Sequence, residues 1–250
     1  TLDPLKDDKL VSIPSWFERV KSGAGSPIRK GMITSQIEKT SVLGLWFFLI
    51  PSKLLPITNE EKKWTSKLTT RKRFIYHLSR GCARNAISNL TGLDPLQIPL
   101  KAEPGQAPLL ADGWGHISIS HCSDALLIGW SPKRIGIDIE RQDRDFKAKE
   151  LSKRFFSDIE HDEIRNLSPT QMQEQVLTRW TIKEATIKSK GEKISTNLNQ
   201  WIWKNNASFA YHHYSHQNKV KVFNQTYKYW TYSIAVDEKL ISSDPILCIN

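Results

Sequence analysis

Asp138 and Glu140 stand on either side of Ile139 at the end of an apolar run. On an extended strand alternate residues share one face, so the two carboxylates project side by side and repel one another. A hard divalent cation relieves that repulsion. Carboxylate oxygens suit Mg²⁺, which takes one or two protein carboxylates together with phosphate oxygens and water, and Mn²⁺ accepts the same donors. An acidic pair at a strand end also reads as a solvated rim. A third carboxylate sharpens the choice. In Arg179-Trp180-Thr181-Ile182-Lys183-Glu184-Ala185-Thr186-Ile187-Lys188, residues Trp180, Glu184 and Lys188 recur every four positions and form one column on a helix. Alone, Glu184 and Lys188 make an ordinary surface ion pair. With Asp138, Glu140 and the upstream Ser120-His121, they supply what phosphate chemistry requires: cation ligands, charge neutralisers and a base.

Those side chains need strands and helices to hold them. Three apolar runs read as strands: His116–His121, Ala125–Trp130 and Arg134–Ile139. Ser131-Pro132-Lys133 is short enough to join the second and third in a tight antiparallel turn. Val42–Leu49 reads as a buried strand closed by Pro51. Thr58 to Glu61 has capping-box spacing, and a longer helix follows from about Arg71 to Leu90. In it Phe74, Leu78, Cys82 or Ala83, and Ala86 form the apolar stripe, with Arg73, Arg80 and Arg84 off it. Residues 95–115, rich in Pro and Gly, read as an irregular connection and a candidate hinge. A second capping box at Ser157 to Glu160 opens a short helix, and a long one runs from about Thr170 to Lys190 and stops at Gly191. From Leu198 the period returns to two, with Trp201/Trp203, 207–211, 219–223 and 229–236 as strands. Residues 1–40 read as loop with a short helix near Trp16–Val20. The order of elements predicts an α+β chain of two similar halves, 1–132 and 133–250, the second carrying the acidic motifs.

The chain has 250 residues with 36 Lys+Arg against 26 Asp+Glu, a formal charge of +10. At 39% hydrophobic and with 9 Trp, 6 Tyr and 9 Phe, it has the composition of a folded domain, which excludes global disorder. Three cysteines without CxxC spacing (Cys82, Cys122, Cys248) argue against a disulfide scaffold and a structural zinc site, so a reducing cytoplasm is the expected compartment. The longest apolar run, Val42 to Ile50, is too short to span a bilayer, and no signal peptide is visible, so no membrane association is expected. His212, His213 and His216 read as strand ends and loop rather than as metal ligands. The basic balance admits nucleic acid, an anionic cofactor or an acidic protein as partner. A nucleic-acid-binding helix at 62–84 and an Mg²⁺-dependent phosphodiesterase built on the three carboxylates are the competing readings. The first leaves the acidic motif unexplained and the second gives Ser120-His121 no role.

Gly136-Ile137-Asp138-Ile139-Glu140, then Arg154-Phe155-Phe156-Ser157 fourteen residues on, then Trp180 to Lys188, closely resemble in order and spacing the signature of the 4′-phosphopantetheinyl transferases. Ser118-Ile119-Ser120-His121-Cys122 resembles that family's Ser-His block, and the helix bearing Arg73, Arg80 and Arg84 is similar to its arginine-bearing N-terminal helix. The resemblance covers roughly residues 71–191. By length the chain resembles the surfactin-synthetase-activating class, which implies two α/β subdomains in a pseudo-twofold arrangement within one monomeric chain. It implies transfer of the 4′-phosphopantetheine arm of coenzyme A to a serine of an apo acyl carrier protein or carrier domain, with 3′,5′-ADP leaving and no nucleic-acid partner. Residue by residue it makes Asp138, Glu140 and Glu184 the Mg²⁺ ligands and Lys188 the phosphate-neutralising lysine, supported by Lys183. It places Ser120 and His121 near the 3′-phosphate of coenzyme A, with Arg73 and Arg80 as further phosphate contacts. Glu184 is the expected general base, and a basic face is expected to steer acidic carriers. Where the family often has Gly-Lys-Pro, this chain has Gly105-Gln106-Ala107-Pro108, with Lys101 as a possible substitute.

Overall fold

The structure is a computed structural model that describes residues 43–236 and 246–249. The short helix expected near Trp16–Val20 lies outside the described residues. In chain order the described elements are β1 (Gly44–Leu49), α1 (Asn59–Thr65), α2 (Thr70–Thr91), a 3-10 turn (Pro95–Gln97), β2 (Leu100–Lys101), β3 (Leu109–Leu110), β4 (His116–His121), β5 (Ala125–Ser131) and β6 (Ile135–Arg141). They continue with α3 (Ala148–Phe155), α4 (Asp158–Ile164), α5 (Pro169–Lys190), α6 (Ile194–Asn197), β7 (Trp201–Trp203), β8 (Phe209–His212), β9 (Ser215–Tyr227), β10 (Trp230–Val236) and β11 (Ile246–Ile249). The chain is α+β, as its pattern predicts.

The strands form two main sheets, ordered β11-β1-β5-β4 and β6-β10-β9-β8-β7, with β2 and β3 as a small ribbon. Side-chain alternation sorts the layers. Leu45, Phe47 and Leu127 of the first sheet meet Ile137, Ile139, Tyr232 and Ile234 of the second in one buried cluster. Trp46, Phe48, Leu126, Ile128 and Trp130 point the opposite way, onto Leu78, Cys82 and Ala86 of α2. The outer face of the second sheet (Ala210, Val220, Val222, Ala235) packs on Ile182 and Ala185 of α5. The layers therefore run helix, sheet, sheet, helix. Each large buried apolar side chain contributes roughly 1.5–3 kcal/mol relative to exposure, so this burial holds α2 and α5 against the sheets. The parallel pairing of β11 with β1 returns the end of the chain to the first sheet.

Two expectations are corrected. β5 and β6 form no hairpin, because both edges of β5 are already taken, by β1 and by β4. Ser131-Pro132-Lys133 instead carries the chain from one sheet to the other, and the hairpin is β4–β5. Arg80 and Arg84, off the apolar stripe of α2, are nonetheless buried. Arg84 pairs with Glu61 (Nε–Oε2 2.9 Å) and donates to the carbonyls of Pro95, Ile98 and Leu100, so it anchors the irregular connection to the helix. Glu61 also completes the capping box with Thr58, which the spacing did predict. The second capping box is likewise formed, and its Glu160 takes the buried Lys183 ammonium and the Trp203 N–H as well. The long helix ends at Gly191, whose φ of 70° is the left-handed cap a glycine adopts without strain. Among the described residues no helix is long and apolar enough to cross a membrane.

Candidate active site

The site is built where β4, the edge of one sheet, lies beside β6, the edge of the other. No backbone ladder joins these two strands. Side chains do it instead: the Ile137 N–H donates to Ser118 Oγ (3.1 Å), and Ser120 Oγ donates to Asp138 Oδ1 (2.7 Å). Ile135, Ile137 and Ile139 fill the core between the sheets, which leaves Gly136, Asp138 and Glu140 facing α5. The helix presses directly on Gly136, where a Cβ would stand 1.9 Å from the Ala185 carbonyl oxygen and 2.4 Å from the Ser189 nitrogen. That close approach brings Glu184 and Lys188, one residue back in each case, over the acidic pair.

Lys188 Nζ lies 2.7 Å from Asp138 Oδ1, 3.2 Å from Ser120 Oγ and 3.5 Å from Glu184 Oε2. Burial pulls this ammonium down, but Asp138 and Glu184 together outweigh it and hold its pKa above the ordinary value. Arg144, four residues beyond Glu140, forms an ion pair with it and packs over Phe146. Burial raises the Glu140 carboxyl to about 7 and the Glu184 carboxyl to about 8, with repulsion from Asp138 the next cause for each. The His121 imidazole is held below its ordinary value by desolvation first and the Lys188 ammonium second, with the nearby Arg80 adding to the effect.

The raised carboxyls have a consequence for stability. Unfolded, they ionise near pH 4.5, so between about pH 4.5 and pH 8 the folded state holds protons that the unfolded state has shed, and stability falls as pH rises through that window. Denaturant unfolding of the metal-free protein should give a lower free energy at about pH 8 than at about pH 5.5, with a flatter slope in Glu184→Gln. A variant slope equal to that of the wild type would contradict the assignment.

The donor set fits a hard dication. Asp138 Oδ2 is buried without a hydrogen-bond partner, and the repulsion from Asp138 that adds to burial in raising Glu140 and Glu184 is what a dication relieves. Among the described residues no three His, Cys, Asp or Glu side chains stand ready as a ligand cage. The Lys188 ammonium bridges Asp138 and Glu184, and Arg144 holds Glu140.

The structure thus brings together Asp138, Glu140, Glu184, Lys188 and Ser120, with His121 at the rim and Arg80 close to it. Arg80 donates to the Ala102 carbonyl (3.2 Å) and lies over Tyr76. Arg73 sits apart from the cluster, donating to the carbonyls of Thr65, Ser66 and Leu68, where it ties the α1–α2 corner. Lys183 also lies outside it, fully buried against Glu160 and the Trp201 carbonyl on the other side of α5. Lys101 is exposed beside Glu103. His212 packs edge-on against Trp201. Arg144 was missed, because an arginine four residues from a carboxylate outside a helix carries no periodic signal.

A strand edge and a helix thus present three carboxylates and a lysine across a sheet junction. The family model of the 4′-phosphopantetheinyl transferase superfamily matches residues 134–240. The stretch contains Asp138, Glu140, Glu184 and Lys188. The chain is 30% identical over 130 residues to the 4′-phosphopantetheinyl transferase HetI of Nostoc sp., a match covering 50% of this chain and 54% of that protein. It is 31% identical over 119 residues to a 4′-phosphopantetheinyl transferase of Bacillus subtilis, covering 47% of this chain and 52% of that one. To the 4′-phosphopantetheinyl transferase Sfp of Bacillus subtilis it is 28% identical over 119 residues, with the same coverage of 47% and 52%. The chain spans about half the length of each of these relatives in its match.

Proposed function

We propose that the protein transfers the 4′-phosphopantetheine arm of coenzyme A to a serine hydroxyl of an acidic apo carrier protein, releasing 3′,5′-ADP. The observation that carries this reading is the convergence of Asp138, Glu140, Glu184 and Lys188 at the β4–β6 junction, inside the stretch that matches the superfamily. The names of the relatives point to the same reaction.

Asp138, Glu140 and Glu184 would hold Mg²⁺ or Mn²⁺, which when bound draws charge from the pyrophosphate oxygens of coenzyme A. Lys188, held protonated by two carboxylates, is placed to neutralise the charge that grows on those oxygens as the serine Oγ–phosphorus bond forms and the bond to 3′,5′-ADP breaks. His121 and Arg80 line the side from which the 3′-phosphate is bound. Glu184, on the Lys188 face of α5, accepts the serine proton. Glu184→Gln is expected to lower turnover about a hundredfold or more at saturating Mg²⁺, and full turnover would remove Glu184 from this role. Exposed Lys62 and Lys63 of α1, Arg71 and Lys72 of α2 and Lys67 between them add to the positive field that steers an acidic carrier inward.

We also propose that the two halves, 1–132 and 133–250, are pseudo-twofold subdomains with the site at their junction. The protein would act as a cytoplasmic monomer, and the assembly of the carboxylate and lysine cluster from one chain supports the monomer. Chromatography of the reaction mixture separates the transferase from a phosphodiesterase. Transfer yields 3′,5′-ADP in equal amount to holo carrier and none without carrier, whereas 3′,5′-ADP formed without carrier would overturn the reading.

A further inference from the structure

Since β4 and β6 share no ladder, the spacing between the two halves of the site must be set by side chains. Ser118 and Ser120 do so at mid-strand. Beyond them β4 runs from His121 into the turn Cys122-Ser123-Asp124, while β6 ends at Arg141, one residue past Glu140. At that end Asp124 accepts from the Arg141 guanidinium, from Trp230 Nε1 (2.9 Å) and from Cys122 Sγ (3.4 Å), while its carbonyl takes the Ile50 N–H (2.8 Å). Arg141 is held in turn by Asp143 (Nε–Oδ1 2.6 Å) and lies 5.7 Å from the Tyr229 ring and 5.9 Å from the Trp230 ring. The same guanidinium is thus fixed by a two-point contact with Asp143 and spans from β6 to the β4–β5 turn, with its plane set by its fork.

We propose that Arg141 and Asp124 are positioning residues whose ion pair, braced by Trp230, fixes the spacing of His121 from Glu140 and so aligns the coenzyme-binding rim with the carboxylate cluster. This rests on the transferase reading. Neither residue touches the reacting atoms. The pair acts by joining two sheet ends that no backbone bond joins, one residue beyond Glu140 and three beyond His121. Lysine at position 141 keeps the charge but loses the fork, so it restores the link in part.

The test measures coenzyme A binding by titration calorimetry, together with the KM for coenzyme A and the Mg²⁺ concentration giving half-maximal carrier modification. The variants are Arg141→Met, Asp124→Asn, Arg141→Lys and the double Arg141→Met/Asp124→Asn. Arg141→Met and Asp124→Asn are expected to weaken coenzyme A binding about tenfold and to raise both kinetic constants, with Arg141→Lys within about threefold of wild type. The double variant should be no worse than the weaker single one, because either change breaks the same link. Should Arg141→Met fail to fold, the isosteric Asp124→Asn carries the same expectation. Wild-type coenzyme A affinity and Mg²⁺ dependence in folded variants of lowered Tm would overturn the proposal and leave a purely structural ion pair. Absence of coenzyme A binding by the wild-type protein would overturn the transferase reading itself.

Discussion

Asp138→Asn is expected to lower carrier modification about a thousandfold while the protein stays folded. The substitution keeps the shape and one oxygen acceptor for the Ser120 hydroxyl but deletes the charge around which the site is organised. Lys188 loses its nearest partner, at 2.7 Å, and is then held only by Glu184 at 3.5 Å. A cation bound there would lose the donor whose second oxygen is buried with no other partner. Repulsion on Glu140 and Glu184 falls at the same time, so their raised carboxyls should move back toward the ordinary range, which offsets part of the lost ion pair and leaves the fold intact. Steady-state turnover alongside circular dichroism checks both halves of the expectation. Turnover within a few fold of wild type would mean that the acidic cluster is a rim and not a site.

Gly136→Ala is expected to destabilise the protein by about 3 kcal/mol or more. The added methyl meets backbone and not a yielding side chain: the Ala185 carbonyl at 1.9 Å and the Ser189 nitrogen at 2.4 Å. Either α5 lifts off β6 or β6 moves into the buried layer of Ile137 and Ile139, and both elements are packed on their far sides as well. Because Glu184 and Lys188 ride on the displaced helix, any folded fraction should also turn over slowly. Urea unfolding gives the first quantity and activity per folded molecule the second. Near-native stability with full activity would show that the helix does not need this contact.

Much of this arrangement is legible in the residue pattern. Alternation about Ile139 places Asp138 and Glu140 on one face, and the fourfold spacing of Trp180, Glu184 and Lys188 puts the third carboxylate and the lysine in one column. The same helical arithmetic, carried one residue back, places Arg179, Lys183 and Ile187 in a neighbouring column that is buried, which is why Lys183 pairs with Glu160 instead of facing phosphate. Capping boxes at Thr58 and Ser157 are local and readable. The second duty of their glutamates, as partners of Arg84 and Lys183, is not, because it depends on contacts 23 residues away in each case. The course of Ser131-Pro132-Lys133 is also tertiary: a short turn fits a hairpin equally well, and only the prior pairing of β5 with β1 and β4 sends it to another sheet.

Group transfer from coenzyme A to a carrier serine at the Asp138, Glu140, Glu184 and Lys188 cluster is the reaction proposed for this protein. Intact-mass spectrometry of a purified apo acyl carrier protein tests it most directly, after incubation with the protein, coenzyme A and Mg²⁺ beside EDTA and Asp138→Ala controls. A mass gain of one phosphopantetheine unit, lost in both controls, is the predicted result. An unchanged mass for apo carriers drawn from fatty-acid, polyketide and peptide-synthetase systems, with the protein folded throughout, would contradict it.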